Sequence, residues 1–143
     1  MADISKIQLP TGTTYDIKDA VARTPVLDET ASNFITAASG YTISVARIVT
    51  CGKIAQLVLS ISSSSAMNIS ASGDVTNFTC ATLKDGYRPL INAAFGAYGD
   101  YNSACGLLRP DGSVRVCGFQ PQDAAHTIAA GTAFTVVCTY ILA

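Results

Sequence analysis

From residue 41 to the end of the chain, apolar and polar residues alternate with a period of two over several short runs. Turn residues separate the runs about every eight to twelve positions, and almost no helical periodicity interrupts them. The positions on one side of the runs form the predicted core: Leu57, Leu59, Ile61, Leu108, Val114, Val116, Phe134, Val136 and Cys138. This pattern predicts an all-β fold, an antiparallel, jelly-roll-like β-sandwich over residues 41–143.

The clearest local signal is a hairpin over residues 106–119 with the tripeptide Pro-Asp-Gly at its tip. Proline presets φ for the first turn position, and Gly112 can adopt the left-handed conformation that closes a three-residue loop with a bulge. That loop pairs Leu108 with Val114 and places both in the core. A two-residue loop would instead bring Arg109 to the buried side, so we expect the three-residue loop.

The overall composition indicates a protein that covers part of its surface with other copies of itself. Only 13% of the residues are charged, against about 25% in an average soluble domain. Val137 and Ile141 make the second side of the last strand apolar too, which is typical of a central strand or of a subunit contact. We therefore expect a homo-oligomer. The net charge of −1 leaves no basic surface for nucleic acid.

The beginning of the chain has a different pattern, which predicts a separate appendage over residues 1–23 that packs on a partner subunit or on the body of the chain. Two short strands are joined by a Pro-Thr-Gly turn, and a short helix over residues 18–23 follows. The apolar positions of the two strands are Ile7, Leu9, Tyr15 and Ile17. Residues 24–40 are polar and rich in turn formers, so they are predicted to be a connector to the head domain at 41–143.

The sequence contains little that indicates a catalytic or metal-binding site. His126 is the single histidine, and no nucleophile motif accompanies it. The aspartates lie at positions typical of turn residues, so they do not indicate the pair of catalytic carboxylates that a glycoside hydrolase needs. We therefore predict that the protein is not an enzyme. The five cysteines include no Cys-x-x-Cys pair, and their number is odd. We expect free thiols used as small apolar side chains, with no metal and no cofactor.

A loop after the fourth long run is the best candidate for a binding site. It holds Tyr98, Asp100, Tyr101 and Asn102, with two glycines that leave it adaptable. Aromatic rings stack on sugar rings, and the Asp and Asn side chains can bind hydroxyl groups. The alternative is a loop whose tyrosines pack on a neighbouring subunit.

Two parts of the chain resemble virion proteins of tailed phages. Residues 4–23 are similar to the start of many tail and baseplate proteins of phages infecting Gram-positive gut bacteria. Residues 83–89, 106–119 and 134–140 resemble the head domain of phage tail-fibre or receptor-binding proteins. The resemblance implies a homotrimer whose N-terminal segment binds other tail proteins. Its outer β-sandwich would bind a host surface polysaccharide.

The resemblance also implies a location in the virion tail. The chain starts without the basic and apolar regions of a signal peptide, so we expect synthesis in the host cytoplasm. It lacks the run of about 20 apolar residues that would insert into a membrane. Two alternatives stay open beside host attachment. One is a purely structural tail or decoration protein, and the other is a non-viral, trimeric, lectin-like binding module.

Overall fold

A computed structural model describes residues 6–8, 10, 14–16, 24–99, 103–120 and 123–143. Among these residues the single helix is α1 (Ala31–Phe34). The strands are β1 (Lys6–Gln8), β2 (Thr14–Asp16), β3 (Val26–Asp28), β4 (Ile35–Ala37), β5 (Tyr41–Cys51), β6 (Ile54–Ser63), β7 (Met67–Ile69), β8 (Asp74–Leu83), β9 (Ala93–Tyr98), β10 (Ser103–Leu108), β11 (Ser113–Phe119), β12 (His126–Ile128) and β13 (Ala133–Ile141).

The described strands form an antiparallel sheet of nine strands, curled into a half-barrel, and two sheets of two strands each. The order in the large sheet is β3-β5-β6-β13-β9-β10-β11-β8-β4, and the small sheets are β1-β2 and β12-β7. The backbone N–H of Tyr41 donates to the carbonyl of Ala38, so a short turn joins β4 at one edge to β5 near the other edge. The predicted all-β, sandwich-like antiparallel fold is confirmed.

The core lies on the inner side of the curled sheet. All nine predicted core residues are buried, and none is more than 5% exposed. Two pairs show how the strands bring them together: Leu59 of β6 lies opposite Val136 of β13, and Ile61 lies opposite Phe134. Side chains alternate strictly between the two sides of a strand. One pair with the predicted register therefore fixes which residues of both strands face the core.

The hairpin of β10 and β11 has the predicted three-residue loop. Leu108 pairs with Val114, and both side chains are fully buried. Gly112 adopts a φ of 86°, the left-handed conformation that the loop requires. Asp111 closes the loop, since its Oδ1 accepts the backbone N–H of Ser113 at 2.9 Å. The hydrogen bonds from the hydroxyl and the N–H of Ser113 hold the pKa of the Asp111 carboxyl below its usual value.

A second glycine in this hairpin is required by close packing. Gly106 lies opposite a bulge of β11, where Cys117 is the extra residue between the partners of Cys105 and Gly106. A Cβ atom there would lie 2.3 Å from the backbone oxygen of Arg115 and 2.3 Å from the Phe95 ring. The Phe95 ring is 5% exposed and therefore occupies the core space that any larger residue at position 106 would need.

The structure differs from the predicted connector over residues 24–40. This stretch supplies β3 and β4, the two edge strands of the large sheet, together with α1. Phe34 and Ile35 are 0% and 2% exposed. The polar residues before them form the turn into the helix, where Oδ1 of Asp28 accepts the N–H of Thr30 at 2.8 Å. The turn directs the following apolar pair into the core, so this part of the chain belongs to the sheet.

The fourth long strand also differs from its prediction. The sequence pattern predicts a strand over residues 90–95 and a loop from residue 96 onwards, but β9 covers Ala93–Tyr98. Gly96 and Tyr98 pair with β10 on one side and with β13 on the other. Two long neighbours complete the backbone hydrogen bonds of this stretch, which outweighs the low strand propensity of glycine.

The predicted N-terminal hairpin is present as the antiparallel pair of β1 and β2. Ile7 lies opposite Tyr15 in its register. Leu9, Ile17 and the predicted helix over residues 18–23 lie outside the described residues.

Two glycine substitutions test the packing of the hairpin. Gly106→Ala places a methyl group against backbone and a buried ring, so we expect a loss of about 3 kcal/mol or more in the free energy of unfolding. Gly118→Ala is the matched control on the partner strand. Its Cβ would lie 3.6 Å from the nearest atom, the oxygen of Gly73, which is ordinary contact. Urea unfolding of both variants measures the difference, and equal losses would contradict this account of the packing.

Candidate functional site

The candidate loop is described by the structure only at its two ends. Tyr98 is the last residue of β9, and Ser103 is the first residue of β10 and its direct partner. On its other side Tyr98 pairs with Thr135 of β13. The other predicted site residues, Asp100, Tyr101 and Asn102, lie outside the described residues. The site that can be built is therefore the end of the sheet from which this loop leaves.

The Tyr98 side chain lies along the outer side of the sheet. A Cβ atom on Gly96 would lie 3.4 Å from the Tyr98 hydroxyl oxygen and 3.6 Å from Cζ. The hydroxyl end of the Tyr98 ring therefore packs against the backbone of Gly96, which has no side chain to displace it. Tyr98 remains 67% exposed. An exposed aromatic ring held on a strand is a suitable surface for stacking on the apolar face of a sugar.

An open depression lies at the same end of the sheet. It has a volume of about 320 Å³ and a mostly apolar lining formed by Ser103, Ala104, Cys105, Phe119 and Gln120. The N–H of Gln120 donates to the carbonyl of Ser103 at 2.7 Å, and this bond holds the two polar residues of the lining together. Apolar surface with a few polar groups at one edge is typical of a site for an uncharged ligand.

Sequence reasoning found Tyr98 but missed Gly96, Ser103 and Gln120. Gly96 was assigned to the loop, although it lies in a strand and supports the tyrosine ring. Ser103 and Gln120 stand 17 positions apart in the sequence and meet only through the pairing of β10 with β11. Residues 103–108, Ser-Ala-Cys-Gly-Leu-Leu, do not alternate between polar and apolar types, so their sequence gives no local signal for a strand that begins at Ser103.

The described residues offer few other groups that could form a metal site or a catalytic site. Among them, no three His, Cys, Asp or Glu side chains are grouped so that they could hold a metal ion. His126 lies in β12, half-buried, opposite Ile69 of β7. Within the same residues, no helix has the length and apolar composition that crossing a membrane requires.

All five cysteines are free thiols, as predicted. Burial raises the pKa of the Cys80 thiol to about 12, and its Sγ donates to the carbonyl of Val114 at 3.4 Å. Burial raises the pKa of Cys138 as well. Cys105 is exposed on the outer side of β10, beside the depression. The interior thiols therefore pack as apolar groups, and Cys105 is the accessible one at the candidate site.

Comparison with models of known protein families finds no matching family. Comparison with curated proteins finds none that is similar to this chain.

The difference in thiol environment gives a prediction for labelling of the native protein. We expect a thiol reagent at pH 8 to modify Cys105 within minutes and to leave Cys80 unmodified until the protein is unfolded. A thiol with a pKa of about 12 is thiolate in only about one molecule in ten thousand at this pH, and the thiolate is the reactive form. Peptide mass mapping before and after denaturation measures both sites. Equal labelling of Cys80 and Cys105 in the native protein would show that the burial assignment is wrong.

Proposed function

We propose that this chain is a structural virion protein of a phage tail tip or fibre that binds a saccharide on the surface of the host cell. The observation that carries the proposal is the exposed Tyr98 ring lying along Gly96 beside an open, mostly apolar depression. Its setting on an all-β domain, and the resemblance to phage tail proteins, support the same function. Asp100, Tyr101 and Asn102 complete the proposed site from the adjoining loop.

The chemistry of the site favours an uncharged ligand with hydroxyl groups and an apolar face. The Tyr98 ring offers the stacking surface, while the Ser103 hydroxyl and the Gln120 amide are groups that can exchange hydrogen bonds with sugar hydroxyls. Such a shallow site makes few contacts and binds weakly by itself. A homotrimer, present in several copies on one particle, raises the effective affinity by orders of magnitude. We therefore propose that the protein acts as a trimer.

The N-terminal segment is proposed to attach the protein to other tail proteins. Its β1-β2 pair is a two-stranded sheet of three residues per strand, and a hairpin of that size is marginally stable alone. Docking on a larger partner would stabilise it. In this proposal residues 1–23 bind the tail, while the large sheet presents Tyr98 to the host.

Removing the rings tests the receptor site. We expect the double variant Tyr98→Ala with Tyr101→Ala to abolish adsorption of particles to host cells, because the stacking surface is lost while the core residues are unchanged. The matched control, Tyr98→Phe with Tyr101→Phe, keeps both rings and is expected to retain most adsorption. Particle adsorption and the solution mass of the purified protein are measured for both variants. Normal adsorption of the alanine variant would show that this loop is not the receptor site.

Deletion of residues 1–23 separates a virion protein from a free lectin-like module. We expect the truncated protein to keep the oligomeric state of the full chain and to be missing from assembled particles, since its contact with the tail is removed. Light scattering gives the oligomeric state, and immunoblotting of purified particles gives incorporation. Incorporation at the level of the full-length protein would contradict the proposed attachment role.

A further inference from the structure

The outer side of the large sheet has two chemically different halves. Over β3, β5, β6 and β13 the strand registers bring large apolar residues together on the side opposite the core. The residues of this surface, which we call the outer apolar face, are Leu27, Val45, Val49, Cys51, Ile54, Val58, Val137 and Ile141. Over the other half the outer positions are mostly small or polar, with Tyr98 and Leu107 as the larger residues. Ala94 and Gly96 of β9 and Thr79 of β8 are examples of the small or polar positions. Among the described residues, the large aliphatic side chains that are exposed on the outer side of the sheet thus lie in one half.

The residues of the outer apolar face are both adjacent and accessible. Ile54 lies directly opposite Ile141, and Val58 lies directly opposite Val137. Ile54 is 56% exposed, Ile141 51% and Val137 42%. Directly opposed residues have Cβ atoms about 5 Å apart, so each of these pairs forms one apolar patch. The polar pair of Gln56 and Thr139 lies between the two patches. Cys51 of β5 lies opposite Ile54 and extends the first patch. Neighbouring apolar patches of this kind are typical of an interface, unlike single apolar residues scattered over a protein.

The face carries almost no net charge. Among the described residues on it, the charged side chain is Arg47 of β5, and its Nε lies 2.7 Å from Oε1 of Glu29. Lys53, at the turn between β5 and β6, extends its Nζ to the carbonyl of Ala143 at 3.1 Å. A neutral face gives no attraction to nucleic acid, to an anionic membrane or to any charged polymer. The partner that fits it is another neutral, apolar protein surface.

The dimensions of the face match the central part of a protein interface. Four strands about 4.8 Å apart and a span of seven residues along β5 give about 20 Å in each direction, on the order of 400 Å² in projection. A stable interface buries about 800 Å² per partner and surrounds its apolar centre with polar groups. The face also contains uncharged polar residues. Gln56 and Thr139 lie within it, and Ser60 and Thr135 lie at its border.

We propose that the outer apolar face is the surface through which copies of this chain associate, with the same face of every copy turned toward a shared rotation axis. The partner surface must be apolar and uncharged. A second copy of this chain meets both requirements, since it brings the same face. The inference rests on the oligomeric part of the proposed function and is independent of saccharide binding.

The test places charge on the face and measures mass in solution. The double variant Ile54→Glu with Val137→Glu changes one exposed residue of β6 and one of β13. The matched control, Thr79→Glu with Ala94→Glu, changes exposed positions on the outer side of the other half. Light scattering on a size-exclusion column is expected to give a multiple of 14.8 kDa for the full-length chain and for the control. The face variant is expected at 14.8 kDa with an unchanged circular dichroism spectrum.

The outcomes separate this inference from the rest of the proposal. A full-length chain with a mass of 14.8 kDa at tens of micromolar would overturn both the inference and the proposed trimer. An oligomeric face variant would overturn the inference alone. Where the glutamates prevent folding, Ile54→Ser with Val137→Thr replaces them, and a dissociation constant raised at least tenfold is expected. An unchanged dissociation constant in that milder variant would also overturn the inference.

Discussion

The long antiparallel pairing of β6 with β13 is the interaction on which the rest of the structure depends. It runs without interruption from Ala133 opposite Ser62 to Ile141 opposite Ile54. β13 also pairs with β9, so it joins the half of the sheet that contains β3, β5 and β6 to the half that contains β8, β10 and β11. Without this strand the large sheet would be divided between β6 and β9, and its inner side would not close around one core.

The same strand also carries residues on which the proposed association of copies depends. Its inner residues, such as Phe134 and Val136, enter the core, while Val137 and Ile141 point to the outer side and stay about half exposed. A central strand needs apolar residues inside to hold the fold, but the fold itself does not require them outside. Burying the outer residues would lower the free energy, and this gain is the physical basis of the proposed association of copies.

The parts of the fold that could be predicted are those whose signal is local. The period of two in β6 and β13 places Leu57 and Val136 inside whatever the neighbouring strands are, and the Pro-Asp-Gly turn sets the register of β10 and β11. Edge strands of three residues are too short to show an alternation of apolar and polar residues. The sequence of β3 and β4 is therefore typical of a connector. Phe34 could not be assigned to the core, because its burial follows from a turn and from packing against distant strands. For the same reason Tyr98 could be singled out by residue type, whereas its neighbours Ser103 and Gln120 depend on the tertiary pairing.

The candidate site and the outer apolar face share a border. Gly96, which supports the Tyr98 ring, pairs directly with Val137 of the face. If copies associate through the face, each Tyr98 is held close to the shared axis, and the spacing between sites is set by the sheet and not by a flexible linker. A repeating polysaccharide presents equivalent sugars at regular distances, so rigidly spaced weak sites lose less entropy when they bind together than sites on mobile arms. The strand β13 would then determine the core, the oligomer and the multivalent contact with the host through the alternate sides of a single chain segment.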